Sequence, residues 1–352
     1  MNTKIVRVDP LHPEASLLEE AAKILAAGGL VIIPTETVYG IAANMLNKKT
    51  VERLYKIKQR PEDKPFSLHI DRKEKIEDFA RDIPVSAYRL IEKFWPGPLT
   101  LLLKSKDKGK VGLRLPDNEI ARRVIGFSGV PVVCPSANLS GKPAPVNFSQ
   151  AIQDLNGLVD FAIDAGETRL KQESSIVDLT LEPPQVLRVG AIKKEDLEKV
   201  LKTKVVLFIC TGNSCRSVMA QYLLEKKLKE KGRSDVQVLS AGICPISGTG
   251  ASGEVQEILS REGVDASTHR AQKVTKRMLL DADLILVMEK LHEAAVLEIA
   301  PEVKNRLFLL KEFAKIADSD LNIPDPIGGT DELYTHTFLV IKEAIERIVE
   351  II

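Results

Sequence analysis

Apolar positions follow two registers along this chain, and the register changes near residue 203. The segment at 16–27 (SLLEEAAKILAA) repeats its apolar residues every three to four positions, which predicts a helix, and Gly28-Gly29 ends it. Residues 30–33 form a short apolar strand stopped by Pro34. The pattern then predicts a helix over 51–58, a strand over 66–70, and a helix over 86–94 broken at Trp95-Pro-Gly-Pro98. Strands are expected at 99–103, 111–115, 130–133, 161–163, 175–179 and 186–189. A charged, helix-like segment at 193–203 (KKEDLEKVLKT) reads as a junction between domains at 1–201 and 202–352.

Beyond the junction the alternation is regular. Strands are expected at 205–209, 236–239, 284–288 and 307–310, with helices at 218–231, 253–262 and 332–352. That order predicts a parallel sheet flanked by helices.

A length of 352 residues suits two domains. Net charge is +1, so no global basic excess argues for nucleic acid, although local patches stay open. The N-terminal residues lack an apolar signal-peptide core, and no segment approaches 18 uninterrupted apolar residues. A cytoplasmic location, without membrane contact, is expected. The four cysteines, Cys134, Cys210, Cys215 and Cys244, have neither zinc-knuckle nor disulfide-framework spacing, and no protein metal site is expected. Cys134 and Cys244 are expected to be inert, and His12, His292 and His336 exposed.

The densest chemistry lies in Cys210-Thr-Gly-Asn-Ser-Cys-Arg216-Ser217. A cysteine that ends a strand and faces a helix N-terminus meets unpaired backbone N–H groups, which favour thiolate over thiol. The same donors suit phosphoryl oxygens, and Arg216 adds a two-pronged contact. Gly212 is expected to permit the curvature, Asn213 to brace the loop, and Ser217 to donate to the thiolate. Asp325, in Ile323-Pro-Asp-Pro-Ile-Gly-Gly329, is the candidate proton donor for a leaving group.

With Ser240-Ala-Gly242, Ser267-Thr-His-Arg270 and Asp325-Pro326, this half resembles the low-molecular-weight protein tyrosine phosphatases over 204–352. The resemblance implies a doubly wound α/β fold, with Cys210 as nucleophile, Arg216 as phosphate ligand and Asp325 as general acid. Tyrosine-directed members carry aromatic residues after Asp-Pro; here Ile327-Gly328-Gly329 follows. With Ser214 in the loop, the chain is more similar to the branch acting on phosphoarginine, although phosphotyrosine stays open. Cys215 is either a small buried residue or a reversible disulfide partner for Cys210.

In the first half, polar clusters follow apolar strands: Pro34-Thr-Glu-Thr-Val-Tyr-Gly40, Lys58-Gln-Arg-Pro61, Trp95-Pro-Gly-Pro-Leu-Thr100 and Pro135-Ser-Ala-Asn-Leu-Ser-Gly141. Hydroxyls, an amide and two cations suit oxyanion binding, with catalysis by positioning. Lys58 and Arg60, read as lying on an extended segment, are expected to project to one side. By themselves these clusters say only "anion-binding pocket".

In this order they resemble the YrdC/Sua5 family over about 5–201. That implies a twisted open α/β sheet with a concave cavity, making threonylcarbamoyl-adenylate from L-threonine, bicarbonate and ATP with Mg²⁺. The product would pass to a separate tRNA threonylcarbamoyl transferase. The resemblance assigns Thr35 and Tyr39 to the threonine side, with His69 near the carboxylate. It places the Lys-x-Arg pair, Lys58 and Arg60, and the Ser-x-Asn pair, Ser136 and Asn138, in the threonine- and ATP-binding set, with Ser174 and Arg188 around the nucleotide phosphates. RNA contact is described for some relatives and has no independent support in the charge balance. The competing readings are a nucleotide- or RNA-binding sensor in the first half and a non-catalytic phosphoprotein-binding module in the second.

Overall fold

The computed structural model describes residues 2–352 and divides into two compact units, Met1–Leu201 and Lys202–Ile352.

The first unit is built on a ten-stranded mixed sheet. Its strands are β1 (Lys4–Arg7), β2 (Val31–Ile33), β3 (Gly40–Asn44), β4 (Leu68–His69), β5 (Leu99–Lys104), β6 (Lys110–Arg114), β7 (Val132–Val133), β8 (Phe161–Asp164), β9 (Ser175–Asp178) and β10 (Gln185–Arg188). They lie in the order β1-β8-β2-β3-β7-β4-β6-β5-β9-β10. Pairing is parallel at β1/β8, β2/β8, β4/β6 and β5/β9 and antiparallel elsewhere. The two-residue side-chain period splits the core. Leu30 and Ile32 join one cluster, while Val31 and Ile33 join the cluster on the other face. Helix Ala15–Ala26 covers the second face with Leu18, Ala21, Ala22 and Leu25, one helical stripe. Each fully buried aliphatic side chain contributes about 1.5–3 kcal/mol.

The second unit carries a four-stranded parallel sheet in the order β12-β11-β13-β14: β11 (Lys204–Cys210), β12 (Val236–Gly242), β13 (Leu284–Val287) and β14 (Leu307–Leu309). β11 is central and buried from Val205 to Cys210, which accounts for its uninterrupted apolar run. Helix Arg216–Glu230 follows the turn after β11. Helix Asp331–Ile348 packs the same core through Tyr334, Phe338, Ile341 and Ile345.

Several elements differ from the sequence pattern. The helix after the cysteine loop starts at Arg216 rather than 218, so its first turn is continuous with the cysteine loop. β3 was not expected; it begins at Gly40, where the polar motif ends. Helices Glu119–Ser128 and Lys290–Ile299 were not anticipated, and the expected strand at 66–70 is paired only at Leu68–His69. No helix among the described residues is long and apolar enough to cross a membrane.

Candidate active sites

The first unit holds a cavity of about 170 Å³. Thr35, Tyr39, Lys58, Arg60, His69, Ser136, Ser174 and Arg188 all line it, as do Thr100, Arg114, Cys134 and Glu173. Four of these side chains are cations.

Lys58 is the last residue of helix Lys48–Lys58, and Gln59 takes a left-handed conformation (φ 51°) that redirects the chain. The expected extended Lys58–Arg60 segment is therefore corrected: a helix end, not a strand, brings both cations to one cavity. The Lys58 ammonium is 3% exposed and donates to Ser136 O (2.7 Å), Asn138 O (2.5 Å) and Asn138 Oδ1 (3.0 Å). Burial, then the neighbouring Arg60 charge, push it down to about 8, while the three acceptors use all its protons and favour the charged form. Asn138 is not part of the cavity lining; it holds Lys58 and accepts from Ser136 Oγ at 2.6 Å. Arg60 donates to Lys64 O and Pro65 O and lies over the Phe66 ring, 5.3 Å from its centre. Phe66 in turn stacks on Tyr55, so the aromatic residue after the Lys-x-Arg pair serves as a platform for Arg60.

The Tyr39 hydroxyl donates to Gly166 O (2.9 Å) and accepts from Ala165 N (3.0 Å), so it ties the cavity wall to the end of β8. Thr35 Oγ1 donates to Val38 O (2.7 Å), shaping the β2–β3 turn. Ser174 Oγ contacts Thr100 Oγ1 and accepts from Arg188 Nη2 (3.1 Å); Arg188 Nη1 reaches Glu173 Oε1 (2.7 Å). Burial and the Arg114 charge push His69 down to about 3, so its ring is neutral.

Arg114 is the residue that sequence reasoning missed. It is 5% exposed and donates to Glu36 Oε1 (2.8 Å) and Thr37 Oγ1 (2.7 Å). Its Nε, with His69 Nδ1 and Glu36 Oε2, is buried without a hydrogen bond. The available signal was an arginine at the apolar end of a strand, Val111-Gly-Leu-Arg114-Leu115.

In the second unit Cys210 ends β11 and is 2% exposed. Its Sγ receives Asn213 N (3.3 Å) and lies 3.0 Å from Ser217 Oγ. The loop's left-handed residue is Asn213 (φ 52°), which corrects the assignment of the curvature to Gly212. Asn213 is fully buried. Its Nδ2 donates to Ser217 Oγ (3.0 Å) and Ser240 Oγ (2.8 Å), its Oδ1 accepts Gln272 N (3.0 Å), and its carbonyl accepts His269 Nε2 (2.7 Å). Ser214 is half-buried, and its carbonyl accepts Ser252 N. Cys215 sits at the helix N-terminus beside Ser252 and Ser214, and burial raises its thiol pKa. The four cysteines are free thiols.

Arg216 is 1% exposed. Its Nη1 donates to Glu289 Oε2 and to Ile323 O (2.8 Å); its Nη2 donates to Asp325 Oδ2 and to Thr211 Oγ1 (3.2 Å). The expected phosphate ligand and the candidate acid are thus in direct contact. Ile327, beside Asp325, is 62% exposed. His292, expected on the surface, is fully buried, with Nε2 2.9 Å from Thr211 Oγ1. Its helix-facing sequence, Lys290-Leu-His-Glu293, reads as polar because the packing partner is the loop after Cys210 rather than an apolar core.

A cysteine on an oxyanion loop at the head of a parallel sheet is the architecture of a cysteine phosphatase. A cation-lined hollow in a mixed sheet is that of an enzyme handling anionic substrates. Family comparison agrees on both. Residues 23–190 match the Sua5/YciO/YrdC family ("Telomere recombination"), and residues 205–352 match the low molecular weight phosphotyrosine protein phosphatase family. The chain belongs to both families, one in each unit.

The first unit is 42% identical to threonylcarbamoyl-AMP synthase of Pyrococcus abyssi over 190 residues, 51% of this chain and 56% of that protein. The chain therefore spans little more than half the length of that curated relative. The second unit is 37% identical to a protein-arginine-phosphatase of Geobacillus stearothermophilus over 145 residues, 41% of this chain and 93% of that protein. Among solved structures, P. abyssi Sua5 complexed with L-threonine aligns with 87% of this chain and 99% of its own, at 28% identity and a TM-score of 0.55.

Proposed function

We propose that the chain is a bifunctional enzyme. The first unit condenses L-threonine, bicarbonate and ATP to threonylcarbamoyl-AMP and pyrophosphate, and the second hydrolyses phosphorylated protein side chains, phosphoarginine in preference to phosphotyrosine. The cavity shared by Lys58, Arg60, Arg114 and Arg188 carries the first assignment. Its orphaned polar atoms on Arg114 and His69 are the kind that a bound polar ligand completes. The threonine amine attacks the bicarbonate-derived carbon, water is lost, and the carbamate oxygen attacks the α-phosphorus as pyrophosphate leaves. The cations offset the charge that accumulates on the phosphates. No cluster of three or more acidic, histidine or cysteine ligands exists among the described residues. Mg²⁺ therefore fits this site as an ion carried on the ATP phosphates, with Glu173 the cavity's one acidic side chain. The product would feed a separate tRNA-modifying transferase in the cytoplasm. Threonine-dependent pyrophosphate release, abolished in Lys58→Ala and Arg60→Ala, tests this reading against a nucleotide sensor.

The contact set around Cys210 carries the second assignment. The sulfur attacks phosphorus, the P–O or P–N bond breaks, and Asp325 supplies the proton to the leaving group. Asp325 then takes a proton from water as that water attacks the thiophosphate and returns the sulfur. An incoming phosphoryl group replaces Asp325 on Arg216 Nη2, freeing the carboxyl for this role. Ile327 and Ser214 offer no aromatic wall for a phenyl ring, which supports phosphoarginine. Hydrolysis of phosphoarginine and phosphotyrosine peptides by the chain and by Cys210→Ser tests it; undiminished turnover in Cys210→Ser refutes it.

A further inference from the structure

Thr211 follows the nucleophile, and its hydroxyl has an unusual set of neighbours. Glu289 N donates to His292 Nδ1 at 3.1 Å. A backbone amide can only donate, so Nδ1 carries no proton. The His292 ring is fully buried, and burial together with the Arg216 charge keeps it neutral. Its single ring proton is therefore on Nε2, 2.9 Å from Thr211 Oγ1. Thr211 Oγ1 also receives Arg216 Nη2 at 3.2 Å. Both lone pairs of the hydroxyl are occupied, and its own proton has to point elsewhere.

His292 and Arg216 are the only partners of that hydroxyl among the described residues, so its proton has no protein acceptor and is left for a ligand. Thr211 is half-buried, and the guanidinium it touches also holds Asp325. We propose that Thr211 is a phosphoryl contact, its hydroxyl aimed by His292 to donate to a phosphoryl oxygen while also aligning Arg216. Thr211 touches the substrate; His292 is a positioning residue that acts through Thr211. The inference rests on the phosphatase reading for its meaning but not for its readout, because the contact is to the phosphoryl group itself.

The test uses the full chain and inorganic phosphate as the probe. Phosphate protection of Cys210 against iodoacetamide, resolved by fragment-ion mass spectrometry, reports binding without turnover. Aryl phosphate hydrolysis reports catalysis. Thr211→Val is expected to weaken phosphate protection about tenfold and to lower kcat/KM by a similar factor, the scale of one hydrogen bond to a charged group. Thr211→Ser restores most of both. His292→Leu reproduces the Thr211→Val loss, His292→Gln recovers part of it through its amide donor, and the Thr211→Val/His292→Leu double variant is no worse than either single. Wild-type phosphate protection in Thr211→Val overturns the proposal, as do losses that multiply in the double variant. If the wild-type chain shows no Cys210-dependent hydrolysis but the protection pattern holds, the phosphatase reading fails and the Thr211–His292 pair stands.

Discussion

The backbone oxygen of Thr211 lies so close over Gly242 that a Cβ built there would stand 2.7 Å from it, and 3.0 Å from Asn213 N. The cysteine loop is thus pressed on the end of β12, where only a glycine leaves room. Gly242→Ala is expected to push the loop out of line and lower phosphatase kcat/KM by about a hundredfold. Threonine-dependent pyrophosphate release by the same protein should be unchanged. Equal loss of both activities would instead mean general unfolding.

Lys58 is the buried tie of the first unit, donating to Ser136 and Asn138. Lys58→Met leaves Asn138 Oδ1 and two carbonyl oxygens without their shared donor, at a cost of about 1–3 kcal/mol. It is expected to lower pyrophosphate release by about a hundredfold or more. Trp95, the chain's one tryptophan, is buried in this unit, so thermal unfolding followed by its fluorescence separates lost stability from lost chemistry. A variant with normal turnover would exclude Lys58 from the reaction.

The buried histidine of the second unit sets a pH dependence. His292 is held down to about 4, first by burial and then by Arg216, against 6.5 when unfolded. Between those values the unfolded chain binds a proton that the folded chain does not. Stability therefore falls as pH drops from 6.5 towards 4, by on the order of 3 kcal/mol, and this loss is complete below 4. Protection of the β11 amides, corrected for intrinsic exchange, should decline over that window and decline less in His292→Gln. Identical slopes would remove His292 as the cause.

Ile327 is the exposed apolar side chain beside Asp325. Ile327→Phe provides an aromatic wall and is expected to raise kcat/KM for phosphotyrosine relative to phosphoarginine peptides by roughly five- to tenfold. Competition between the two peptides measures the ratio directly. A ratio unmoved by the substitution places the discrimination at another position, with Ser214 the next to vary.

The alternation of apolar residues was enough to read the parallel sheet of the second unit, because a central strand such as β11 is buried on both faces and reads as one continuous apolar run. The first unit was harder. β4 and β7, expected over 66–70 and 130–133, pair over only two residues each, and β3, which begins where the polar motif ends at Gly40, was not expected. Several motif residues took their structural task only in three dimensions. Ser240 and His269 fasten Asn213, Gly242 admits the loop, and Asn138 holds Lys58 rather than lining the cavity.

Residue order alone marked the two candidate sites. A cysteine between a strand and a helix, and a Lys-x-Arg pair among hydroxyl motifs, are local features that a few neighbouring positions make legible. Arg114 in the cavity, Glu289 on Arg216, and His292 behind Thr211 were decided by tertiary structure, because they arrive from strands and helices tens of residues distant. Long-range packing sets their separations, and burial sets their protonation; neither is written in the spacing of neighbouring residues.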